Sequence, residues 1–338
     1  MANIAVLGCG FGTSLAVMAF KYGHTVTLWS KFEQEISEIR KYDENRKLLP
    51  GIPVDRNINL TSDLSAINSA DIIIFAVPSF AVRETAKAVA KEINPKATVV
   101  NVAKGLESGS LKRLSEVIEE ELPNNNIVVL SGPSHAEEVA RGMPTTIVAV
   151  SKNRASAEYI QETLMNKTLR IYVSDDIIGV ELGGTLKNII ALSAGICDGF
   201  GLGDNTKAAL MTRGIAEISR LGCALGGREI TFAGLAGIGD LIVTCTSMHS
   251  RNRRAGILLG QGVPADEAIE RIGTVEGYPA TESAFELAKK NGVTMPIVEQ
   301  LYNVLYQNAD IKTSIENLMD RPKRHESEQV WEDQLGKL

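Results

Sequence analysis

One lysine in an apolar, glycine-rich segment is the residue best suited to proton chemistry. Residues 179–191 read Gly-Val-Glu-Leu-Gly-Gly-Thr-Leu-Lys-Asn-Ile-Ile-Ala, with Lys187 inside the run and Asn188 beside it. Taking an ammonium group out of water is costly, so a lysine there needs a partner or a task. Apolar walls also lower a lysine's pKa, which suits it to acid–base work near neutral pH. The segment alone is equally compatible with a lysine whose stem packs on a helix end while its head stays wet.

A second candidate lies near the N-terminus. Gly8-Cys9-Gly10-Phe11-Gly12 follows a β-branched run, Ile4 to Leu7, and precedes a helical pattern with Leu15, Met18 and Ala19 on one face. Strand, glycine turn and helix open a dinucleotide-binding unit. Gly8 permits the tight turn, Gly10 lets the backbone approach a pyrophosphate, and the helix N-terminus turns N–H groups toward it. The full fingerprint is G-x-G-x-x-G, so this turn is one residue short, and an ordinary strand-to-helix turn competes. The flanking strand and helix favour the dinucleotide. The second strand, Thr25 to Trp29, runs into Ser30 and Lys31. An acid there selects NAD through the ribose 2′-hydroxyl, whereas a hydroxyl and a cation accept a 2′-phosphate. NADPH is favoured, although Glu33 keeps NAD open and Lys31 also suits a solvated helix start.

These residues need elements to position them. Glu33 to Tyr42 reads as a helix, and Asp71 to Val77 as a strand buried on both faces, the mark of a parallel sheet. Arg83 to Glu92 is helical, Thr98 to Val102 a strand, Leu111 to Leu122 a helix and Ile127 to Leu130 a strand. Thr145 to Val150 and Leu169 to Val173 add strands around a helix near Ala155 to Met165. This alternation implies a doubly wound α/β sheet. Beyond about Ser174 the pattern turns helical, as in Thr206 to Leu225 and Ala265 to Ile272. A chain of 338 residues exceeds one ordinary core. We divide it into a nucleotide-binding domain, residues 1–174, and a helical substrate domain, residues 175–338. The charged residues 320–338 are expected to lie on the surface or fray.

Composition narrows the function. A net charge of -6 argues against a general nucleic-acid binder, while leaving room for a local basic pocket. Cys9, Cys197, Cys223 and Cys245 form no C-x-x-C pair, and His24, His135, His249 and His325 show no ligand spacing. Neither a metal site nor a disulfide framework is expected, and Cys197, Cys223 and Cys245 read as buried packing residues. Ile72 to Val77 is far too short to span a bilayer, and no signal peptide pattern is seen. The reading is a reduced, soluble, cytoplasmic protein without membrane insertion.

Six segments then combine in order: Asn101 to Glu107, Ser131 to Glu137, Gly183 to Asn188, Gly237 to Leu241, Thr244 to Thr246 and Ser250 to Arg254, with Val275 to Gly277 after them. Together they closely resemble the bacterial NAD(P)-dependent glycerol-3-phosphate dehydrogenases, over nearly the whole chain. The resemblance implies a Rossmann-type domain followed by an all-helical one, and interconversion of dihydroxyacetone phosphate and sn-glycerol 3-phosphate for phospholipid synthesis. It implies Lys187 as proton donor and acceptor, Lys104 as a contact to substrate and cofactor, and Asp240 as the acid that supports Lys187. Gly132 and Ser134 become substrate contacts, and Ser250, Arg251 and Asn252 the phosphate-binding group. Ala136, Val275 and Glu276 become cofactor contacts, Arg251 reaching the cofactor as well. A homodimer is implied too.

This chain departs from the family pattern in the short glycine loop, where Phe11 replaces a tryptophan, and in Cys9 and His135, where alanine and phenylalanine are usual. The run before Val275 is also one residue shorter. Lys104 should make Lys187 easier to deprotonate and Asp240 should oppose that. On its residues alone, Asp240 also suits a helix cap after Gly239. Arg253 and Arg254 read as solvated cations on a basic helix turn. Two other functions remain open at this point: a related β-hydroxy-acid dehydrogenase and a catalytically silent NAD(P)-sensing protein.

Overall fold

The computed structural model describes residues 1–323 and residue 326, so the expectation for the charged C-terminal residues falls mostly outside the described residues. The β-branched runs form eight strands: β1 (Asn3–Leu7), β2 (Thr25–Trp29), β3 (Asn59–Thr61), β4 (Ile72–Phe75), β5 (Thr98–Asn101), β6 (Ile127–Ser131), β7 (Thr145–Val150) and β8 (Leu169–Ser174). They lie in one sheet in the order β3-β2-β1-β4-β5-β6-β7-β8. Strands β1 to β6 run parallel, whereas β7 pairs antiparallel with β6 and parallel with β8. The order of the first six strands is doubly wound, and its switch point lies between β1 and β4. All four residues of β4, Ile-Ile-Ile-Phe, are buried, because helices cover both faces of the sheet. Those helices are α1 (Phe11–Lys21), α2 (Glu33–Tyr42), α3 (Val82–Val89), α4 (Leu114–Glu121), α5 (Ala136–Arg141) and α6 (Arg154–Leu164).

From Ile177 onward the described residues are helical: α7 (Ile177–Phe200), α8 (Asp204–Ala224), α9 (Glu229–Phe232), a π-helical turn (Leu235–Gly239), α10 (Asp240–Thr246), α11 (Arg251–Gly260), α12 (Ala265–Ile272), α13 (Gly277–Lys290), α14 (Pro296–Tyr306) and α15 (Ile311–Met319). The fold is therefore a mostly parallel α/β sheet followed by an all-helical region.

Helix α7 is the axis of that region. The Asp176 carboxylate caps it by accepting the Gly179 N–H at 2.9 Å, and Gly201 ends it in the left-handed region at φ 85°. By length and composition α7 is apolar enough to cross a bilayer, but 94% of its apolar window is buried inside the protein. Residues 229–246, which comprise α9, the π-helical turn and α10, are likewise long and apolar. The small residues of α7 serve packing. A Cβ on Gly195 would overlap the Arg253 carbonyl oxygen, one on Gly199 that of Ile257, and one on Gly256 that of Leu192. The backbones of α7 and α11 thus lie directly on each other, as the Gly-xxx-Gly spacing on both helices allows.

The sequence did not signal β3, a three-residue edge strand. Helix α4 begins at Leu114 rather than Leu111, because Leu111 sits at φ 59° and cannot be helical. Cys223 is exposed, which corrects its reading as a packing residue; Cys9, Cys197 and Cys245 are buried.

Candidate active site

Three segments that are distant in sequence meet around one carboxylate. Strand β5 ends at Asn101, a fully buried residue whose side-chain amide closes on Ala103, bonding both its N–H and its carbonyl at 3.1 Å. That turn presents Lys104. Thr185 of α7 donates to the Gly105 carbonyl at 3.3 Å, so α7 is tied to the same loop. Gly183 of α7 packs against the π-helical turn, where its Cβ would stand 2.7 Å from the Ala236 carbonyl oxygen. Helix α10 begins directly after that turn, which brings Asp240 over Lys187. Such π segments recur at functional sites.

Lys187 is 5% exposed and Asp240 1%. The Lys187 ammonium donates to Asp240 Oδ1 at 2.5 Å and to Thr244 Oγ1 at 2.6 Å. The Lys104 ammonium donates to Asp240 Oδ2 at 2.5 Å and to the Gly132 carbonyl at 3.1 Å. One carboxylate therefore holds two ammonium groups. Burial pushes the Lys187 ammonium down to about 8; Asp240 opposes that fall and Lys104 adds to it. Burial alone would raise the Asp240 carboxyl, but the two lysines outweigh it and hold it below the ordinary value. Thr244 donates its own proton to the Asp240 carbonyl at 2.6 Å, so its oxygen is oriented to accept from Lys187.

Around this centre, Gly132 stands at φ 139°, and a Cβ there would lie 3.0 Å from Ile147 Cα. Ser134 donates to the Gly132 carbonyl at 3.0 Å. Asn252 donates to Asn188 Oδ1 at 2.9 Å and accepts the Gly277 N–H at 2.8 Å, which turns the Asn188 amide nitrogen away from Asn252. Ser250 caps α11 by accepting the Arg253 N–H at 3.2 Å. The Arg251 side chain is exposed and makes no hydrogen bond or ion pair among the described residues.

The glycine turn lies at the switch point. Gly8 is at φ 107°, and a Cβ on it would stand 2.8 Å from the Ala76 carbonyl oxygen at the end of β4. Gly12 packs as closely, its Cβ falling 3.0 Å from Val6 Cγ1. Gly10 faces open space, and α1 has no side-chain cap at its N-terminus. Backbone N–H groups and an open approach fit a pyrophosphate even with one residue fewer. The turn is anchored from below by the Cys9 carbonyl, which accepts from Thr13 and from Asn45, each at 2.7 Å. After β2, Ser30 is buried and donates to Glu35 at 2.6 Å, while Lys31 is exposed. Glu33 is occupied by Ser62 at 2.6 Å and Ser37 at 3.0 Å.

Comparison with known proteins gives the family. The family model described as NAD-dependent glycerol-3-phosphate dehydrogenase N-terminus matches residues 3–157, and that described as its C-terminus matches residues 176–316. The chain belongs to the NAD-dependent glycerol-3-phosphate dehydrogenase family. A relative from Desulfitobacterium hafniense, named glycerol-3-phosphate dehydrogenase NAD(P)+, is 53% identical over 332 residues, spanning 98% of this chain and 94% of its own. A relative of the same name from Clostridium perfringens is 52% identical, with 96% and 99% covered. The crystal structure of glycerol-3-phosphate dehydrogenase from Coxiella burnetii matches with a TM-score of 0.91 at 39% identity, covering 95% of this chain and 99% of that one.

In this member of the glycerol-3-phosphate dehydrogenase family, the residues singled out from the sequence fall into groups. Lys104, Asp240, Lys187 and Gly132 are in one bonded cluster, with Ser134 on Gly132. Gly8, Gly10, Phe11 and Gly12 form the turn into α1, which is pinned to α5 by Ser14 donating to the Ala136 carbonyl at 2.8 Å. Val275 is buried, and Glu276 reaches across to the β4–α3 turn, accepting from the Ser79 N–H at 3.0 Å and its hydroxyl at 2.5 Å. Asp240 makes no side-chain cap to α10, so the helix-cap alternative is not adopted. Arg253 is not a solvated cation: its side chain is 14% exposed and clamped to Asp198 at 2.7 Å, and Arg254 is only partly exposed. The reason is the tight α7–α11 contact, which buries that turn of α11.

Sequence reasoning assigned no role to Thr244, Asn45 or Ser79. Thr244 carried a signal, since it follows Asp240 by four residues and must share its helix face. Asn45 and Ser79 carried none, because each meets its partner only through the fold.

Proposed function

We infer that this protein is an NAD(P)-dependent sn-glycerol-3-phosphate dehydrogenase, reducing dihydroxyacetone phosphate to sn-glycerol 3-phosphate for glycerophospholipid synthesis. The observation that carries the reading is the buried Lys187 ammonium, lowered to about 8 and held by Asp240 and Thr244. When bound, the nicotinamide supplies the hydride. The remaining tasks fall to the chain.

Two of the three Lys187 N–H bonds are directed at protein, which leaves the third for the substrate's ketone oxygen. There it stabilises the developing alkoxide and then gives up its proton. Asp240 tethers Lys187 and Lys104, and Lys104 adds positive potential beside Gly132 and Ser134. Arg251, with its rigid fork, grips the substrate phosphate, supported by Ser250 and Asn252. Gly8, Gly10, Phe11 and Gly12 hold the cofactor pyrophosphate. Lys31 receives a 2′-phosphate, which favours NADPH over NADH. Lys104, Ala136, Arg251, Val275 and Glu276 line the rest of the cofactor path. Residues 1–174 thus bind cofactor and residues 175–338 complete the substrate site. We place the enzyme in the cytoplasm as a homodimer without membrane insertion, to be checked by sedimentation.

The test follows nicotinamide absorbance with dihydroxyacetone phosphate, comparing NADH with NADPH, in wild type and Lys187→Ala. Lys187→Ala should lower kcat by roughly 10²- to 10⁴-fold with NADPH binding nearly intact. Unchanged turnover would remove Lys187 from the reaction.

A further inference from the structure

Helix α11 opens with three arginines in four residues, and their surroundings separate them. Arg253 is a structural cation, donating to Asp198 Oδ2 at 2.8 Å and to the Thr246 carbonyl at 2.8 Å. Arg251 and Arg254 stand one turn apart on another face of the helix. Neither side chain has a hydrogen bond or ion pair among the described residues, and Arg254 Nε is cut off from solvent without a partner. Like charges at this spacing destabilise a helix, and a buried donor without an acceptor bears its full desolvation penalty. Arg251 is open to solvent on one side; the protein packed around its guanidinium, and secondarily the Arg254 charge, lower its pKa. Glu276 and Glu137 act on Arg251 in the opposite sense, yet both are engaged elsewhere. Glu276 binds Ser79, and Glu137 lies 3.3 Å from the His249 ring nitrogen. The buried Arg254 Nε is the costly element, and an anion shared by the two guanidinium groups would give it an acceptor.

We propose that Arg254 is a second anion-binding guanidinium, acting with Arg251 on a phosphate group of the bound ligands. The proposal rests on the dehydrogenase reading for the identity of those ligands. The phosphate belongs either to the three-carbon substrate or to the cofactor, and the assays separate these sources.

Inorganic phosphate is titrated against the full chain by thermal shift, in wild type, Arg254→Gln and Arg254→Lys, and KM is measured for dihydroxyacetone phosphate, NADH and NADPH. Arg254→Gln should weaken phosphate binding and raise one of these constants about tenfold or more, the loss of a charge-assisted hydrogen bond. Arg254→Lys should recover part of the loss, since it keeps the charge without the fork. A rise for dihydroxyacetone phosphate assigns the substrate's phosphate. An equal rise for NADH and NADPH assigns the pyrophosphate, and a rise for NADPH alone the 2′-phosphate. Unchanged phosphate affinity with all three KM values unchanged overturns the proposal. So does a lower melting temperature with reduced kcat and constant KM, the mark of a packing role. If Arg254→Gln does not fold, Arg254→Lys carries the comparison. Failure to reduce dihydroxyacetone phosphate would refute the dehydrogenase reading, but the phosphate titration would still decide the role of Arg254.

Discussion

Replacing Asp240 by Asn keeps the shape of the centre and removes the charge that two ammonium groups share. Lys187 and Lys104 each lie 2.5 Å from one oxygen of that carboxylate. At an effective dielectric near 20, two unit charges about 4 Å apart interact by ~4 kcal/mol. One pKa unit is about 1.4 kcal/mol, so losing the attraction should lower Lys187 by roughly two to three units. Lys104 remains and now repels without a counter-charge between them. The sign is fixed by the role of Lys187 as acid in ketone reduction, which requires its protonated form. Wild-type reduction should therefore fall as pH rises through about 8. In Asp240→Asn that fall should move to roughly pH 5 to 6, leaving the rate at neutral pH about ten- to a hundredfold lower from ionisation alone. The assay is kcat/KM for dihydroxyacetone phosphate from pH 5 to 9. A uniform loss of activity with the midpoint still near 8 would refute the electrostatic account of Asp240.

Three further outcomes follow from other parts of the molecule. Ser79→Ala should raise the cofactor KM roughly tenfold by freeing Glu276 from a charge-assisted bond, with recovery in Ser79→Thr; an unchanged KM would show that the bridge does not serve the cofactor. Gly195→Ala should force α7 from α11 and cost at least about 2 kcal/mol, lowering the melting temperature by several degrees, whereas a wild-type melting curve would refute the backbone contact. Glu217, buried on α8, accepts the Ile297 and Val298 N–H groups at the start of α14, and burial raises its carboxyl to about 7. Its folded pKa lies above the unfolded value, so its contribution is full below about 4.5 and is lost as pH rises toward 7, by about 3 kcal/mol in all. Glu217→Gln should gain stability over wild type between pH 5 and 8 in thermal melts, and a constant difference would contradict this.

Much of the fold was legible because parallel sheets and helices announce themselves by period. Thr25–Trp29, Thr145–Val150, Glu33–Tyr42 and Ala265–Ile272 were read to their observed ends. Residues 59–61 escaped, since three residues at a sheet edge bury too little to leave a pattern. Lys187 stood out because a cation in an apolar run is rare. Arg253 and Arg254 escaped for the opposite reason: charged residues at a helix start normally sit in water, and only the glycine-mediated approach of α7 takes them partly out of it.

From the order of residues alone came the sheet-then-helices plan, the glycine turn and the names of the central groups, because periodicity and residue chemistry are local properties. Which charges touch is not local. Lys104, Lys187 and Asp240 come from separate elements, so only their assembly made one carboxylate the holder of two ammonium groups. The pKa that makes Lys187 useful depends on burial and distance, and neither is defined until α7, the π-helical turn and the β5 loop have packed together.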